Sequence, residues 1–528
     1  MTNHSYLDNP TFRGMRRSLM ETFDEIYLLD LHGNAKKQER TPDGGTDENV
    51  FDIQQGVAIG LFVKCKNADN GPAKVFHADL WGERESGPNR GKYGWLAANS
   101  VKTTDWTELS PKPPLYLFIP RNEELLEEYE AAWSIPSIFS PNGDPAPGIV
   151  TTHDQFAISW TPEEAADKVE RLLATASEDE ARAQWRLCSQ NQWQYDQAKQ
   201  ELAGDSWRGQ IKPVLYRPFD VRATVFDRNV AVHRRERVMR HMLAGPNLGL
   251  CVGRAGQVIG SDTWEIVFAS KFSSDFNLFR RGGNCLFPLY IYSTEKSRRV
   301  GERRVPNLNS DFVKVFSSAT ILDFIPDGPG DLKTTFGPED VLHYLYAVLH
   351  SPEYRRRYAD FLKSDFPRVP VTNCAALFES LVSLGKRLTA LHLMEADDGE
   401  APVFPVKGNN RVEKVRYAPP QKRVWINGEQ YFDGVAPDTW EFTIGGYQPV
   451  EKWLKDRKNR PLSYDDIAHY QRLCAALAET PRIMTKIDKT IEAYGGWPLV
   501  QDDYLRDLYQ TMSEEWTSPE DEEAWRDL

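Results

Sequence analysis

The sequence predicts a chain of mixed class: an α/β sheet edge at the N-terminus, a helical spacer, and an α+β region closed by C-terminal helices. Three observations carry this prediction. The segment Ile26–Leu31 is apolar on both faces, the pattern of a strand covered on both sides. A helical stretch opens at the capped proline Thr161-Pro162-Glu163-Glu164 and extends to about Ala203. Between Val214 and Tyr292, short Val- and aromatic-rich segments alternate with Gly, Arg and Asn, as in an irregular β region that carries loops.

In chain order, Asn9-Pro10 supplies a helix cap and a first-turn proline. The helix predicted after it places Phe12, Met15, Leu19 and Phe23 on one face and Arg13, Arg16 and Arg17 on the other. The Ile26–Leu31 strand follows, then a polar loop from Gly33 to Glu48 and a second strand, Val57–Val63. Only 25 residues precede Ile26, enough for one helix and a polar lead-in. The strands flanking Ile26–Leu31, and any chemistry carried on their ends, are therefore expected to come from elsewhere or to be missing. Glu123–Trp133 reads as helix, and the run from Thr161 to Ala203 as one or two helices. Strands are predicted at Val214–Phe219, Thr224–Phe226, Leu248–Val252, Ile266–Ala269 and Leu286–Tyr292. Helical spacing returns at Pro338, at Glu353–Leu362 and at Ala375–Glu395. Asn427-Gly428 marks a hairpin within Val424–Phe432. Ser463 caps a helix bearing Ile467, Tyr470, Leu473 and Leu477, which Pro481 is expected to interrupt before a last helix near Ile483–Ile491.

A length of 528 residues allows two to four domains, and 40% apolar with 27% charged residues describes a globular protein. No run of 18 apolar residues and no signal-peptide core occurs, so a cytoplasmic protein without a membrane span is expected. Six scattered cysteines form no CxxC pair, and ten histidines form no HExxH pair, so neither a disulfide framework nor a metal site is expected. No GxSxG elbow is present, and no glycine-rich cofactor loop joins an apolar strand to a helix. The net charge of −13 hides an uneven distribution: Arg208–Arg304 holds 18 Lys/Arg against 8 Asp/Glu, flanked by acidic stretches. A basic module of that kind suits a polyanion.

Within it, Tyr216-Arg-Pro-Phe-Asp-Val-Arg222 leads to Arg228 and then to His233-Arg-Arg-Glu-Arg237 and Arg240. Arginine forks grip phosphate and pair bidentately with guanine. The candidate DNA contacts are Arg217, Arg222, Arg228, Arg234, Arg235, Arg237 and Arg254, with Gln257 as an adenine reader in the loop Gly253–Gln257. A solvated basic face, or salt bridges to the acidic helices, is the competing account of the same charges. Asp8-Asn9-Pro10-Thr11-Phe12 invites comparison with the Asn-Pro-Pro-Tyr/Phe loop of amino-methylating DNA methyltransferases, but only seven residues precede it and Thr11 replaces the second proline.

The segments Thr2–Asp8, Phe12–Arg16, Ile26–Asn34 and Val50–Ala58 resemble the end of an N6-adenine methyltransferase domain, beyond its catalytic loop. Tyr216–Arg222, Arg234–Leu243, Phe336–Val371 and Pro449–Ile487 resemble the C-terminal specificity region of type ISP restriction–modification enzymes. The resemblance implies a methyltransferase-like sheet remnant over residues 1–120, a helical spacer over 121–210, a target recognition domain over 211–450, and C-terminal helices with an acidic tail over 451–528. It implies double-stranded DNA as partner, S-adenosylmethionine as cofactor of the complete enzyme but of no site in this chain alone, and a catalytic half encoded upstream. No catalytic residue is carried over. A complete adenine methyltransferase with rearranged motifs and an inert truncated product are the alternatives.

Overall fold

The strand Ile26–Leu31 finds its neighbours within this chain. In the computed structural model, which describes residues 1–499 except 36–38, 66–70, 86–89, 114, 122, 140–145, 190, 254–262, 281, 294–303, 364 and 397–398, the chain divides into two compact units. The first is built mainly on Met1–Leu126 and the second mainly on the residues from Glu127 onward.

The first unit holds β1 (Thr2–Asn3), α1 (Arg13–Thr22), β2 (Glu25–Asp30), β3 (Val57–Val63), β4 (Lys74–Asp79), α2 (Gly91–Ala98) and β5 (Thr107–Leu109). The sheet order is β1-β3-β2-β4-β5, so β2 is central, antiparallel to β3 and parallel to β4. This corrects the expectation that the flanking strands come from elsewhere or are missing. A strand needs neighbours in space, and two later segments supply them. The double burial read from the sequence holds. Ile26 and Leu28 pack with Tyr6, Met20, Val75 and Phe118 on one face, while Leu29 and Leu31 pack with Val50, Val57 and Leu80 on the other.

The helix α1 is turned from its predicted orientation. Phe12 and Met15 are exposed, whereas Arg16 is fully buried. Its guanidinium donates to Leu115 O (3.0 and 2.6 Å), Tyr6 O (2.8 Å) and Asn9 O (2.9 Å). An arginine can sit inside because its buried donors meet backbone carbonyls, in four contacts to three oxygens. Burial lowers its pKa to about 10, against the pull of Asp8. Asn9 caps the entering turn, its Oδ1 accepting from Thr11 N at 2.9 Å. A second buried cation, Lys92, pairs with Asp47 (2.7 Å) and donates to Leu31 O and Glu48 O. Asp47 in turn accepts from Gly33 N and Gly82 N, so the loops beyond β2 and β4 are tied to one anchor.

The second unit is mixed α/β, with many helices and small sheets. Strands Ile211–Arg217 and Asp220–Val225 pair antiparallel, with Ser273–Ser274 parallel at the edge. A second sheet runs Val267–Ser270, Gly249–Gly253, Asn284–Pro288, Ala146–Pro147. The predicted helical stretch is three helices, Pro162–Ala174, Glu178–Trp185 and Tyr195–Leu202, opened by the Thr161 cap. They share one apolar core with Ala223 and Val225 through Trp185, Trp193 and Trp207.

Helices Pro338–His350 and Ala375–His392 form at their predicted positions, and every described contact face of the first is buried. They cross so closely that a Cβ on Gly385 would lie 1.9 Å from His343 O. The hairpin pairs Arg423–Trp425 with Tyr431–Asp433, and Asn427 Oδ1 ties its loop by accepting from Glu429 N and Gln430 N. Pro481 does not end its helix: Tyr464–Ala493 is one helix of 30 residues. Proline forfeits one backbone bond, and burial of Leu477, Ile483 and Ile487 on either side holds the two halves in line. Among the described residues, no helix is long and apolar enough to cross a membrane.

Candidate nucleic-acid interface

The arginine-rich stretch divides into an inward set and an outward set. The inward set begins at the turn between Ile211–Arg217 and Asp220–Val225, where a register shift lies between Leu215 and Arg217 and Phe219 takes a left-handed backbone (φ 62°). Phe219 is buried, and its carbonyl accepts from His469 Nε2 at 2.8 Å. This turn points Arg217 and Arg222 at buried carboxylates. Arg217 Nη1 meets Asp275 at 2.7 Å, and Arg222 Nη2 meets Asp220 at 2.7 Å and Asp456 at 3.3 Å. Arg457 takes the other oxygen of Asp220 at 3.2 Å.

Aromatic rings separate these cations. Arg217 lies 3.7 Å from the Tyr216 ring centroid, and Arg222 sits between Tyr216 (4.3 Å) and Trp160 (3.9 Å). Arg457 sits between Trp160 (4.7 Å) and Trp453 (3.4 Å). The result is a ladder of alternating guanidinium and ring faces, with each charge countered by a carboxylate. Burial alone would raise the Asp220 pKa, but Arg457 and Arg222 outweigh it and hold the carboxylate ionised. Burial likewise opposes the Arg217 charge, and Asp275 overcomes it, raising the arginine above its ordinary value.

The outward set lies further along. Arg228 is exposed and pairs with Glu201 at 2.6 Å; Arg208 pairs with Glu170 at 2.7 Å. These are bridges to the acidic helices, the competing account of the basic stretch. Arg234 is half-buried, pairing with Glu236 (2.7 Å) and donating to Phe226 O (3.1 Å). Arg235 caps the helix Glu236–Leu243 in a left-handed conformation (φ 51°) and is exposed. That helix buries Val238, Met239 and Met242 and turns Arg237 and Arg240 outward. Arg254 and Gln257 lie outside the described residues.

The two sets differ in what a nucleic acid could do with them. An exposed ion pair is worth about 0–1 kcal/mol, so a phosphate can replace Glu201 or Glu236 as partner at little cost. A buried pair resists exchange, because removing one partner leaves a desolvated charge. In sequence Arg217 and Arg222 stand in the same basic stretch as the exposed arginines, and composition does not distinguish the two. The ladder itself was not read from the sequence. Its members, Trp160, Tyr216–Arg222 and Trp453–Arg457, come from three distant segments with no local spacing to connect them.

The family model of the Type ISP C-terminal specificity domain matches residues 143–486, a span that contains both arginine sets. No curated protein sequence gives a significant match. Three solved structures are similar. A cryo-EM structure of a DrdV–DNA complex has TM-score 0.65 and 21% identity, covering 92% of this chain and 50% of the other. The ATP-dependent Type ISP restriction–modification enzyme LlaBIII bound to DNA has TM-score 0.66 and 18% identity, with 92% and 32% covered. A nuclease-deletion mutant of the Type ISP restriction–modification enzyme LlaGI, in complex with a DNA substrate mimic, has TM-score 0.62 and 19% identity, with 95% and 46% covered. At these identities the likeness is one of fold, and this chain spans a third to a half of the length of each.

Proposed function

This chain belongs to the Type ISP C-terminal specificity domain family, and from that premise we propose that it recognises a short sequence in double-stranded DNA for a restriction–modification adenine methyltransferase. The observation that carries the reading is the family match over 143–486, which encloses the basic module. The three similar structures are of proteins in complex with DNA or a DNA mimic, which supports the same partner. Recognition is assigned to 211–450, with the helices of 121–210 as its support and the C-terminal helices as its close; the acidic tail beyond Leu499 lies outside the described residues.

Arg228, Arg235 and Arg237 grip phosphates, and Arg234 joins them by exchanging Glu236 for the backbone. Arg254 remains a proposed DNA contact and Gln257 the proposed adenine reader. Arg217 and Arg222 serve as positioning residues, because their carboxylate partners are buried with them. The first unit is the closing part of an N6-adenine methyltransferase domain, supported by the resemblance of Ile26–Asn34 and Val50–Ala58 to that family and by a central strand buried on both faces. S-adenosylmethionine and the catalytic loop belong to the upstream half, and the complete enzyme acts on cytoplasmic DNA.

Gel-shift titration of the chain on duplex DNA across a salt series tests the recognition claim. The Arg234→Ala/Arg235→Ala pair is expected to flatten the slope of log K against log salt by roughly 0.9 per lost phosphate contact. An unchanged slope sinks the assignment. Calorimetry tests the split. The isolated chain is expected to show no saturable S-adenosylmethionine binding, and saturable binding would restore the complete-methyltransferase alternative.

A further inference from the structure

We propose that His4, Asp30, His32, His77 and Asp79 form a binding site for a divalent transition-metal ion of the zinc class, at the C-terminal ends of the parallel strands β2 and β4. Strand register builds the site. Asp30 and Asp79 are direct partners across the β2–β4 ladder. His32 follows Asp30 by two residues and His77 precedes Asp79 by two. His4 arrives from the turn after β1, on the other side of β3. In open sheets of α/β type, the ends of parallel strands are where ligands are held.

The contacts converge. His4 Nδ1 is 3.1 Å from Asp30 Oδ1, and His32 Nδ1 is 3.7 Å from Asp30 Oδ2. His32 Nε2 is 2.8 Å from Asp79 Oδ1. The ligand atoms of His4, Asp30 and His32 lie within 4.8 Å of one another, as do those of Asp30, His77 and Asp79, so Asp30 joins two triads. His77 is the observation that favours a ligand over a plain histidine–aspartate network. It is 2% exposed, neither ring nitrogen has a hydrogen-bond partner among the described residues, and its Nδ1 stands 3.8 Å from Asp79 Oδ2. A buried imidazole without a partner is rare. Here it faces two carboxylates that a cation would bridge.

The surroundings hold the ligands in place. A Cβ on Gly56 would lie 2.3 Å from the His4 ring, so only glycine leaves room for that side chain. Asn34 Nδ2 sits 3.3 Å from His4 Nε2, and a carboxamide can offer either its NH₂ or its oxygen to that nitrogen, as an outer partner of a metal-bound histidine does. Trp81 stacks on His32 with ring centroids 3.3 Å apart. A donor set of imidazoles and carboxylates selects first-row transition metals, whereas calcium and magnesium prefer oxygen alone. The Asp79 side chain is 41% exposed, which gives the ion its path in from solvent.

The test uses the untagged full chain after chelator dialysis, titrated with Co²⁺ and then competed with Zn²⁺. One Co²⁺ per chain is expected, with a visible d–d band and no thiolate-to-cobalt charge transfer in the near ultraviolet. Zn²⁺ is expected to displace it and to raise the thermal midpoint. His77→Ala and Asp79→Asn are each expected to weaken binding by about 10- to 100-fold, while His233→Ala leaves it unchanged. Asp79→Asn, at an exposed side chain, keeps the test valid if His77→Ala does not fold. Absence of stoichiometric binding, a thiolate charge-transfer band, or wild-type affinity in Asp79→Asn would each overturn the proposal.

Discussion

Arg222 and Arg235 carry the same charge in the same basic stretch, and their removal is expected to do opposite things. The Arg222 side chain is 10% exposed, paired with Asp220 and Asp456, and held between two aromatic rings. Breaking a buried ion pair costs about 3–5 kcal/mol. Arg457 continues to satisfy one oxygen of Asp220, so the lower end applies, about 3 kcal/mol for Arg222→Ala. In a unit of this size that corresponds to a fall of roughly 5 °C in Tm. The slope of DNA affinity against salt is expected to stay as in the wild type, measured well below the lowered Tm.

Arg235 is exposed and caps its helix through backbone conformation alone. Arg235→Ala is expected to shift stability by no more than about 0.5 kcal/mol and to remove about 0.9 from the salt slope. At 0.1 M salt one such contact is worth roughly 0.9 log unit, about eightfold in affinity, and Arg235→Ala with Arg237→Ala together about 60-fold. Differential scanning fluorimetry and a fluorescence-anisotropy salt series on the same preparations separate the two effects. The division into positioning and contacting arginines is refuted if Arg222→Ala flattens the slope at unchanged Tm, or if the Arg235/Arg237 pair leaves the slope intact.

Three further outcomes follow from buried groups. His392 and His343 are buried and neutral, burial having pushed them down to about 3 and about 4, and His153 to about 4. Their folded pKa values lie below the unfolded value of about 6.5, so their contribution is present above pH 6.5 and is lost as pH falls toward the folded values, about 2 kcal/mol each between pH 7.5 and 5; a flat urea midpoint over that range would contradict it. Arg16→Met leaves the carbonyls of Leu115 and Tyr6 without their buried donor, while Asn9 O keeps the Phe12 N–H, and a loss of about 3 kcal/mol is expected by urea unfolding, against a near-neutral result if water reaches them. Gly385→Ala drives a methyl into His343 O, and a loss of about 3 kcal/mol or more is expected from that overpacking, read as a fall in thermal midpoint.

How much was legible depended on whether a feature is local. The Val57–Val63 strand, the cap at Thr161 and the helix from Pro338 formed where predicted, because each is set by residues within one turn or one strand. The errors came where tertiary contacts chose between equal local options. The pattern of α1 admitted Arg16 as a surface residue, and only three carbonyls brought in from Tyr6, Asn9 and Leu115 make its burial tolerable. Pro481 is a local stop signal that burial of its neighbours overrides. The 25 residues before Ile26 are too few to supply the neighbours of β2, but a parallel partner can follow after a long crossover, and β4 does so, beginning 44 residues downstream of Asp30.

The same distinction separates the two candidate sites. Arginine density is a local property, so the basic module could be found in the sequence, but density does not reveal which forks face buried acids. His4, His32 and His77 lie on three segments, and no spacing rule joins them; the register of β2 against β4 does. Asp30 shows why composition could not substitute for that register. Its pKa would rise on burial alone, yet His4 and His32 hold it below its ordinary value, so the carboxylate stays ionised inside a mainly apolar strand. A sheet that keeps an ionised aspartate at the end of its most buried strand must supply stabilising partners there, and in this protein they come from segments brought together only by folding.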